Sequence, residues 1–263
     1  MRSFDVLVVG GGHAGCEAAA ASARMGASTA LVTFDRRDIG VLSCNPAIGG
    51  LGKGHLVREI DALDGLIGRI GDAAAIQHRL LNRSKGPAVQ GPRAQVDRKL
   101  YAAAMRDAIA TQPGLDVIEA SVDSFIVQAD GRVAGVNTSL GPISATSVVL
   151  TTGTFLGATL HHGLTAAPGG RFGGGASNRL SAALLGLGLP MTRFKTGTPP
   201  RLDGRTIDWS RLAMQYGDPS PVFLSDAGQV ARPGASLPCA VTRTNQAAHS
   251  VIRNNIAFAP MYA

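Results

Sequence analysis

One cysteine in this sequence stands where a thiol could act as a nucleophile. Cys44 precedes Asn45-Pro46, a dipeptide that starts a turn or a helix, and a glycine-rich run that contains Lys53. A thiol near a helix N-terminus and beside basic residues has a lowered pKa, and the thiolate is the nucleophilic form. The alternative is an inert buried thiol, the commoner fate of a free cysteine. The local sequence leaves both interpretations open.

The glycine-rich run after Cys44 superficially resembles a phosphate-binding P-loop. Gly54 follows Lys53 where a P-loop requires Ser or Thr, and no buried strand precedes the run. We therefore exclude a nucleoside triphosphate site here. Four glycines (Gly49, Gly50, Gly52 and Gly54) remove side chains, so we interpret the run as a loop whose backbone lies against a flat cofactor ring.

The first thirty residues predict a dinucleotide-binding unit. A short apolar run, Asp5 to Val9, indicates a buried parallel strand, and the glycine turn from Gly10 to Gly15 follows it directly. A helix of small residues, 16–25, and a second apolar strand, 29–32, come next. In this context Gly10 permits the tight turn, Gly12 lets backbone approach a pyrophosphate, and Gly15 lets the helix pack closely. The pyrophosphate would bind at the helix N-terminus.

The ribose contact of this unit is not assigned by the sequence. The acidic residue that usually binds the ribose hydroxyls should close the second strand, and that position is Thr33. Asp35 lies two positions later and is the alternative contact.

Further elements are predicted along the chain. We expect helices over 56–66, 97–111 and 178–187, the last with Ser177 as its N-cap, and short strands at 116–118, 124–127 and 131–136. Residues 82–95 are predicted to form a polar, basic loop. A buried strand over 147–155 would end in the turn Thr152-Gly153, which resembles a turn beside the flavin in flavoproteins with two dinucleotide-binding domains.

Composition restricts the classes of protein to which this chain can belong. The 263 residues are 45% hydrophobic and 16% charged, which suits a packed interior rather than disorder. The net charge of +7 fits a polyanionic partner such as nucleic acid, although a solvated basic surface is the alternative. Three cysteines without CxxC spacing support neither a disulfide framework nor a zinc site, so we expect a cytoplasmic protein. We also expect no signal peptide and no membrane-spanning helix.

The assembled motifs resemble one family, the MnmG (GidA) flavoproteins. The motifs are residues 10–15, 43–50 (SCNPAIGG), 52–55, 84–89, 195–201, 238–239 and 260–263. They extend over essentially the whole chain, and Thr33 is normal for this family. In the similar folate-dependent tRNA uridine methyltransferases an acidic residue occupies that position.

The resemblance implies a fold and a function. The expected fold is α/β, a Rossmann-like FAD/NAD(P)-binding domain of the two-dinucleotide-binding flavoprotein type over 1–198, with the start of an inserted substrate domain over 199–263. With an MnmE-type GTPase, such enzymes add an aminomethyl or carboxymethylaminomethyl group to C5 of the tRNA wobble uridine. They use FAD, NADH as reductant, a one-carbon unit from methylenetetrahydrofolate, and glycine or ammonia. They are homodimers that form a heterotetramer with the GTPase, and family members are much longer, so we expect this chain to be an N-terminal part.

The resemblance also implies roles for individual residues. Cys44 matches one of two functional cysteines of the family. The implied FAD contacts are Gly10, Gly11, Gly12, His13, Ala14, Gly15, Thr33, Val122, Thr152, Gly153 and Ser177. The basic residues expected to hold tRNA phosphates are Arg83, Lys85, Arg93, Lys195 and Arg201. The alternatives are a folate/FAD-dependent tRNA uridine methyltransferase, a generic flavin oxidoreductase and a non-catalytic FAD- or RNA-binding fragment.

Overall fold

The computed structural model describes residues 2–42, 45–171, 173–197, 202–227 and 237–259. Its strands are β1 (Arg2–Val9), β2 (Thr29–Thr33), β3 (Ala47–Gly49), β4 (Ala75–Leu81), β5 (Gly91–Val96), β6 (Leu115–Glu119), β7 (Val122–Val127), β8 (Val133–Thr138), β9 (Gly141–Leu150), β10 (Thr159–His162), β11 (Thr165–Pro168), β12 (Ala213–Gln215) and β13 (Cys239–Val241). Its helices are α1 (His13–Arg24), α2 (Lys53–Ala62), α3 (Ile67–Ala73), α4 (Arg98–Ala110), α5 (Asn178–Gly186) and α6 (Gln246–Asn255).

A six-stranded sheet of order β6-β2-β1-β9-β8-β7 forms the main layer. The first four of these strands are mutually parallel, and the last two join antiparallel. The α1 helix packs on this sheet through a face of small residues, which are Gly15, Cys16, Ala19, Ala20 and Ala23. Small side chains bring the helix axis close to the strands, so the helix start is held near the carboxyl end of β1. The strand, turn, helix and strand predicted from the sequence are confirmed.

A second sheet, of order β3-β5-β4, is antiparallel. Ile48, Ala94 and Val96 are almost completely buried on its inner face. The prediction of a loop over 82–95 is therefore correct only for its first part, which holds two short 3-10 turns at Arg83–Lys85 and Pro87–Val89. Polar residues alternate with small apolar ones in β5, as in a half-buried strand, whereas the prolines and glycines of this segment favour a loop.

The helix predicted over 56–66 is wrong in its second half, because the chain turns after Leu63 and starts α3 at Ile67. Asp64 adopts a left-handed conformation, with φ of 62°. Glu17 of α1 accepts hydrogen bonds from the amides of Leu66 (2.8 Å) and Ile67. This carboxylate binds orphan amides at the α3 start, so a partner distant in sequence fixes the boundary.

The strand predicted over 147–155 begins and ends earlier than expected. It is β9, which starts at Gly141 and ends at Leu150. It is not fully buried either, because Leu150 retains 38% of its accessible surface.

The residues after 201 contact the first part of the chain. Leu224 is fully buried in the cluster that contains Ile48 and Ile70. Asp72 of α3 accepts hydrogen bonds from the amides of Leu224 (3.0 Å) and Ser225 (2.9 Å). The boundary expected at 198/199 lies outside the described residues. In the part of the chain that the structure describes, no helix has the length and apolarity needed to cross a bilayer, and no group of side chains suits a metal ion.

Candidate functional site

The turn between β1 and α1 is built from glycines at positions that admit no side chain. Gly10 has a φ of 113°, and a Cβ there would lie 2.5 Å from the Thr151 carbonyl oxygen. A Cβ at Gly15 would lie 1.7 Å from the Gly10 carbonyl oxygen. Thr151 also donates a hydrogen bond from its hydroxyl to the Val9 carbonyl, at 2.8 Å. The tight turn expected at Gly10 and the close packing expected at Gly15 are therefore both present, and Thr151, which sequence reasoning missed, fixes them to β9.

The start of α1 is open toward solvent. Gly12 is the N-cap, with φ of −74° and ψ of −175°, and no side chain caps the helix. A Cβ on Gly12 would meet no atom within 4 Å, so this side of the turn is free. The first amides of a helix carry partial positive charge and need acceptors. An uncapped helix start with an unobstructed glycine in front of it fits the diphosphate of a dinucleotide.

His13, the first residue of α1, is held in its neutral form. Burial and, to a smaller extent, the nearby charge of Lys53 lower its pKa to about 4. Its Nδ1 lies 3.3 Å from the hydroxyl of Tyr101, and the two rings meet edge to face. Burial raises the pKa of Tyr101, so this hydroxyl keeps its proton and is available as a donor. His13 therefore contributes a neutral imidazole at the N-terminus of α1.

The two candidates for the ribose contact lie at the end of β2. Thr33 is 6% exposed, lies against Gly11 and donates its hydroxyl to the Asp35 carbonyl oxygen at 3.3 Å. The Asp35 carboxylate is occupied by Arg37, with contacts of 2.8 and 2.5 Å, and that hydrogen bonding lowers its pKa to about 2. Asp35 is therefore ionised and paired, and a ribose would have to compete with Arg37 for it.

A cavity of about 300 Å³ follows the end of β2. It brings together Val122 and Ser177, two of the expected FAD contacts that are far apart in the sequence. The lining residues are Phe34, Ser121, Val122, Asp123, Ala176, Ser177, Asn178 and Arg179. Ser177 stands at the N-cap position of α5 as predicted, but its side chain makes no capping hydrogen bond.

The Thr152-Gly153 turn directly follows β9 and adjoins the β1–α1 turn through Thr151. Gly153 has a φ of 57°, and a Cβ there would meet no atom within 4 Å. The Thr152 carbonyl accepts the amide of Phe155 at 3.1 Å, which closes the turn. The structure thus places this second glycine turn beside the first one.

The glycine run 49–54 serves two different purposes. Cβ atoms on Gly49 and Gly54 would lie 2.2 and 2.6 Å from the Pro92 carbonyl oxygen, so these glycines allow β3 and α2 to pack against β5. Gly50 and Gly52 face open space, as a loop that contacts a ligand requires. The expectation of ligand contact thus fits Gly50 and Gly52, whereas Gly49 and Gly54 are explained by packing.

Cys44, the expected nucleophile, lies outside the described residues. The residues that follow it form a bend and then β3, and α2 begins only at Lys53. Asn45-Pro46 therefore starts a turn rather than a helix, and the helix start that was expected to lower the Cys44 pKa is not adjacent in sequence.

The two other cysteines differ in burial and in their contacts. Cys16 is buried, its thiol lies 3.4 Å from the Gly11 carbonyl, and burial raises its pKa to about 12. Cys239 of β13 is half-buried, with its sulfur 3.8 Å from Gln77 Oε1. Cys16 is therefore a packing residue and not a nucleophile.

The basic residues expected to bind tRNA lie in several different segments of the chain. Arg83 is paired with Asp218 at 2.8 Å, and Lys85 is exposed in the same 3-10 turn. Arg93 lies in β5 and is half-buried. Lys195 is exposed in an irregular segment, and Arg201 is outside the described residues.

His78 and His55 differ in their hydrogen bonding. His78 Nε2 lies 2.9 Å from the buried Asp72 carboxylate and is a hydrogen-bonded structural residue. His55 Nε2 is buried without a hydrogen-bond partner among the described residues.

Comparisons with known proteins show the family of this chain. The family model of glucose inhibited division protein A matches residues 5–263. Two crystal forms of GidA from Aquifex aeolicus match with TM-scores of 0.92 and 0.94, at 44% and 43% identity. These matches cover 97% and 100% of this chain but 43% and 45% of the Aquifex chain, so this chain spans less than half of that protein's length.

A more distant match shows the fold alone. The GidA-related protein from Thermus thermophilus is 23% identical, has a TM-score of 0.51, and is matched over 70% of this chain and 68% of its own. The α/β fold class with a Rossmann-type FAD-binding domain, which the sequence predicted, is confirmed by the sheet order and these matches. The family resemblance is likewise confirmed by a family model that extends over almost every residue. The chain belongs to the GidA (glucose inhibited division protein A) family.

Proposed function

We propose that this chain is the FAD-binding part of an FAD-dependent enzyme that modifies tRNA at the wobble uridine. The modification would add an aminomethyl or carboxymethylaminomethyl group to C5 of the base. The observation that carries the proposal is the uncapped α1 start with its open Gly12, in a chain 43–44% identical to GidA over nearly its whole length. The boundary at 198/199 between an FAD domain and an inserted substrate domain is part of this proposal.

The FAD would be held by groups on three neighbouring segments. The α1 amides, with His13 and Ala14, would take the diphosphate, and the cavity with Val122 and Ser177 would take the adenosine end beside Thr33. Thr152-Gly153 would contact the ribityl–flavin side, because it adjoins the turn through Thr151. Bound FAD would supply redox chemistry and a carrier for a one-carbon unit, with NADH as the reductant.

Cys44 is assigned the covalent step on the base. Uridine C5 is a poor nucleophile until a group adds at C6, and a thiolate suits that addition. The thiolate would form an S–C6 bond and leave electron density at C5. After C5 is substituted, loss of the C5 proton would expel the thiolate. Cys16 cannot take this role, because its thiol is buried and its pKa is about 12.

The partners follow from the family. We propose tRNA as the substrate, with phosphates held by Arg83, Lys85, Arg93, Lys195 and Arg201, and a net charge of +7 supports this. We also propose a homodimer, an MnmE-type GTPase partner that supplies the methylenetetrahydrofolate-derived unit, and a cytoplasmic location. Thr33, buried where the related methyltransferases carry an acidic residue, favours this function over uridine methylation.

The proposal is tested first by an absorbance spectrum of the purified chain incubated with FAD, before and after NADH. We expect retained bands at about 370 and 450 nm, the signature of bound oxidised flavin, that bleach with NADH. A chain that retains no FAD after reconstitution would contradict the cofactor assignment.

The Cys44 assignment needs its own test. Cys44→Ser is introduced into the full-length protein of which we propose this chain is the N-terminal part, and is expressed in cells that lack the native enzyme. Cys16→Ser in the same full-length protein is the matched control, and tRNA nucleosides are measured by mass spectrometry. We expect the modified nucleoside with Cys16→Ser and not with Cys44→Ser. Full modification by Cys44→Ser would remove its proposed role.

A further inference from the structure

Two arginines face each other across the β4–β5 pair. The register sets Arg79 of β4 directly opposite Arg93 of β5, and Gly49 of β3 is opposite Arg93 on its other side. Directly opposite residues of an antiparallel pair project from the same face of the sheet, and like charges there are destabilising. The other face carries Ile48 and Ala94 and is buried. The polar face therefore concentrates positive charge at a cost to stability.

Lys53 of α2 is a third cation near Arg93. Its Nζ donates to the Ala47 carbonyl of β3 at 3.1 Å, and Ala47 is two residues before Gly49, which is opposite Arg93. Partial burial and then the charge of Arg93 lower the pKa of Lys53. The side-chain partner of Arg93 is neutral: its Nη2 lies 3.4 Å from Gln95 Oε1.

No carboxylate in the described parts of the chain neutralises these three cations. Of the ion pairs described there, none includes Lys53, Arg79 or Arg93. Arg79 donates to the Tyr216 carbonyl at 3.2 Å. The Asp218 carboxylate interacts electrostatically with Arg79, but it is bound to Arg83 at 2.8 Å and to the Leu80 amide at 2.6 Å.

We propose that Lys53, Arg79 and Arg93 form a binding site for a phosphate group beside the β3-β5-β4 sheet. Two guanidinium groups and an ammonium match the charge and the acceptor geometry of a phosphate, which would remove the repulsion between the arginines. The phosphate comes either from an RNA backbone or from a dinucleotide. The charge of Lys53 also contributes to the lowered pKa of His13, the first residue of α1. Phosphate binding itself does not depend on the proposed function, whereas the RNA source rests on it.

Thermal unfolding of the chain in phosphate and in chloride, at equal ionic strength, tests the site. The variants are Arg93→Gln and Lys53→Met, and the matched control is Arg132→Gln, an exposed arginine in the β7–β8 turn. Phosphate stabilises proteins non-specifically, so we compare the phosphate-induced rise in the unfolding temperature of each variant with that of the control. We expect Arg93→Gln to raise the unfolding temperature in chloride, because repulsion is removed, and to lose most of the phosphate-induced rise.

A phosphate-induced rise in both Arg93→Gln and Lys53→Met that equals that of Arg132→Gln would overturn the proposal. Lys53→Met keeps the test decisive if Arg93→Gln does not fold, because Lys53 lies outside the strands.

Titrations with FAD and with a tRNA anticodon stem-loop identify the source of the phosphate. If the phosphate belongs to RNA, Arg93→Gln reduces the magnitude of the slope of log K against log salt concentration by about 0.7–0.9 for the lost contact and leaves FAD affinity unchanged. If the phosphate belongs to the dinucleotide, Arg93→Gln lowers FAD affinity and leaves the slope for RNA unchanged. A chain that binds neither FAD nor RNA, but shows the phosphate difference, would leave the site in place and remove the proposed function.

Discussion

Gly15 of α1 lies against the backbone of Gly10, so that a Cβ at Gly15 would be 1.7 Å from the Gly10 carbonyl oxygen. The obstacle is backbone, and it is fixed by the hydroxyl of Thr151, which bonds to the Val9 carbonyl at 2.8 Å and the Gly10 carbonyl at 3.2 Å. The contact sets where the first amides of α1 stand relative to β1 and β9. A change in this contact therefore displaces the proposed diphosphate position together with the helix.

Gly15→Ala is expected to destabilise the protein strongly. Neither side of the contact can move without shifting α1, so we expect a loss of about 3 kcal/mol or more in the free energy of unfolding. Urea denaturation followed by circular dichroism measures it. Gly186→Ala is the matched control, because a Cβ at that helical position meets no atom within 4 Å. The control should be neutral or slightly stabilising, and equal behaviour of the two variants would contradict the packing argument.

Gly12→Ala is expected to separate cofactor binding from folding. Gly12 has a φ of −74°, which alanine adopts freely, and its Cβ would meet open space. The methyl group would stand where the diphosphate approaches, so we expect FAD affinity to fall about tenfold or more, equivalent to about 1.4 kcal/mol.

Flavin fluorescence quenching measures this affinity, and the urea midpoint of Gly12→Ala should match that of the unaltered chain. Undiminished FAD affinity in a folded Gly12→Ala would show that the diphosphate does not bind at α1.

His13 makes the stability of the protein depend on pH. Its pKa is about 4 in the folded chain, against an ordinary value of 6.5. Between these values the unfolded chain binds a proton that the folded chain does not, so stability is lost as pH falls from 6.5 to 4. A difference of this size between the two pKa values corresponds to roughly 3 kcal/mol.

His13→Gln removes this titration, so its unfolding free energy should fall less than that of the unaltered chain over the same pH range. Carboxylates titrate in both proteins. We therefore measure the difference between the two curves of unfolding free energy against pH. Titration of the His13 ring by NMR checks the pKa directly. A midpoint near the ordinary value, or parallel stability curves, would contradict the expected burial.

The sequence predicted the parts of the fold that are set by local chemistry. The β1–α1–β2 unit follows from Gly10, Gly15 and alternating runs of apolar and small residues, and α4 from Asp97, which caps it through the Lys99 amide at 2.8 Å. The α2–α3 break was missed because it depends on Glu17, about fifty positions earlier in the chain. The β3-β5-β4 sheet was missed because Pro92 and the glycines of this region resemble a loop.

The candidate site likewise contains some residues that the sequence indicates and others whose roles depend on the fold. Its glycine turn was visible in the sequence, since a glycine at a fixed offset from a strand has a conformational reason to be there. Thr151, Lys53 and Arg79 gain their roles only from neighbours that the fold brings to them, through the β1–β9 and β4–β5 registers. No local pattern indicates that Arg79 will face Arg93.

Asp72 is expected to hold the 221–227 segment on the first part of the chain. Its carboxylate, 7% exposed, accepts from the Leu224 and Ser225 amides and contacts His78 Nε2. Asp72→Ala leaves these donors buried without an acceptor, so we expect a loss of roughly 3–5 kcal/mol in unfolding free energy. Faster hydrogen exchange at the Leu224 and Ser225 amides should accompany it.

The matched control is Asp123→Ala, because Asp123 pairs with Arg179, whose side chain is 80% exposed. A surface pair of this kind contributes about 0–1 kcal/mol. Equal losses in the two variants, or unchanged exchange at Leu224 in Asp72→Ala, would show that the segment is held by apolar packing of Leu224 alone. The expected result instead makes a buried carboxylate the anchor that joins the residues after 201 to the cofactor-binding fold.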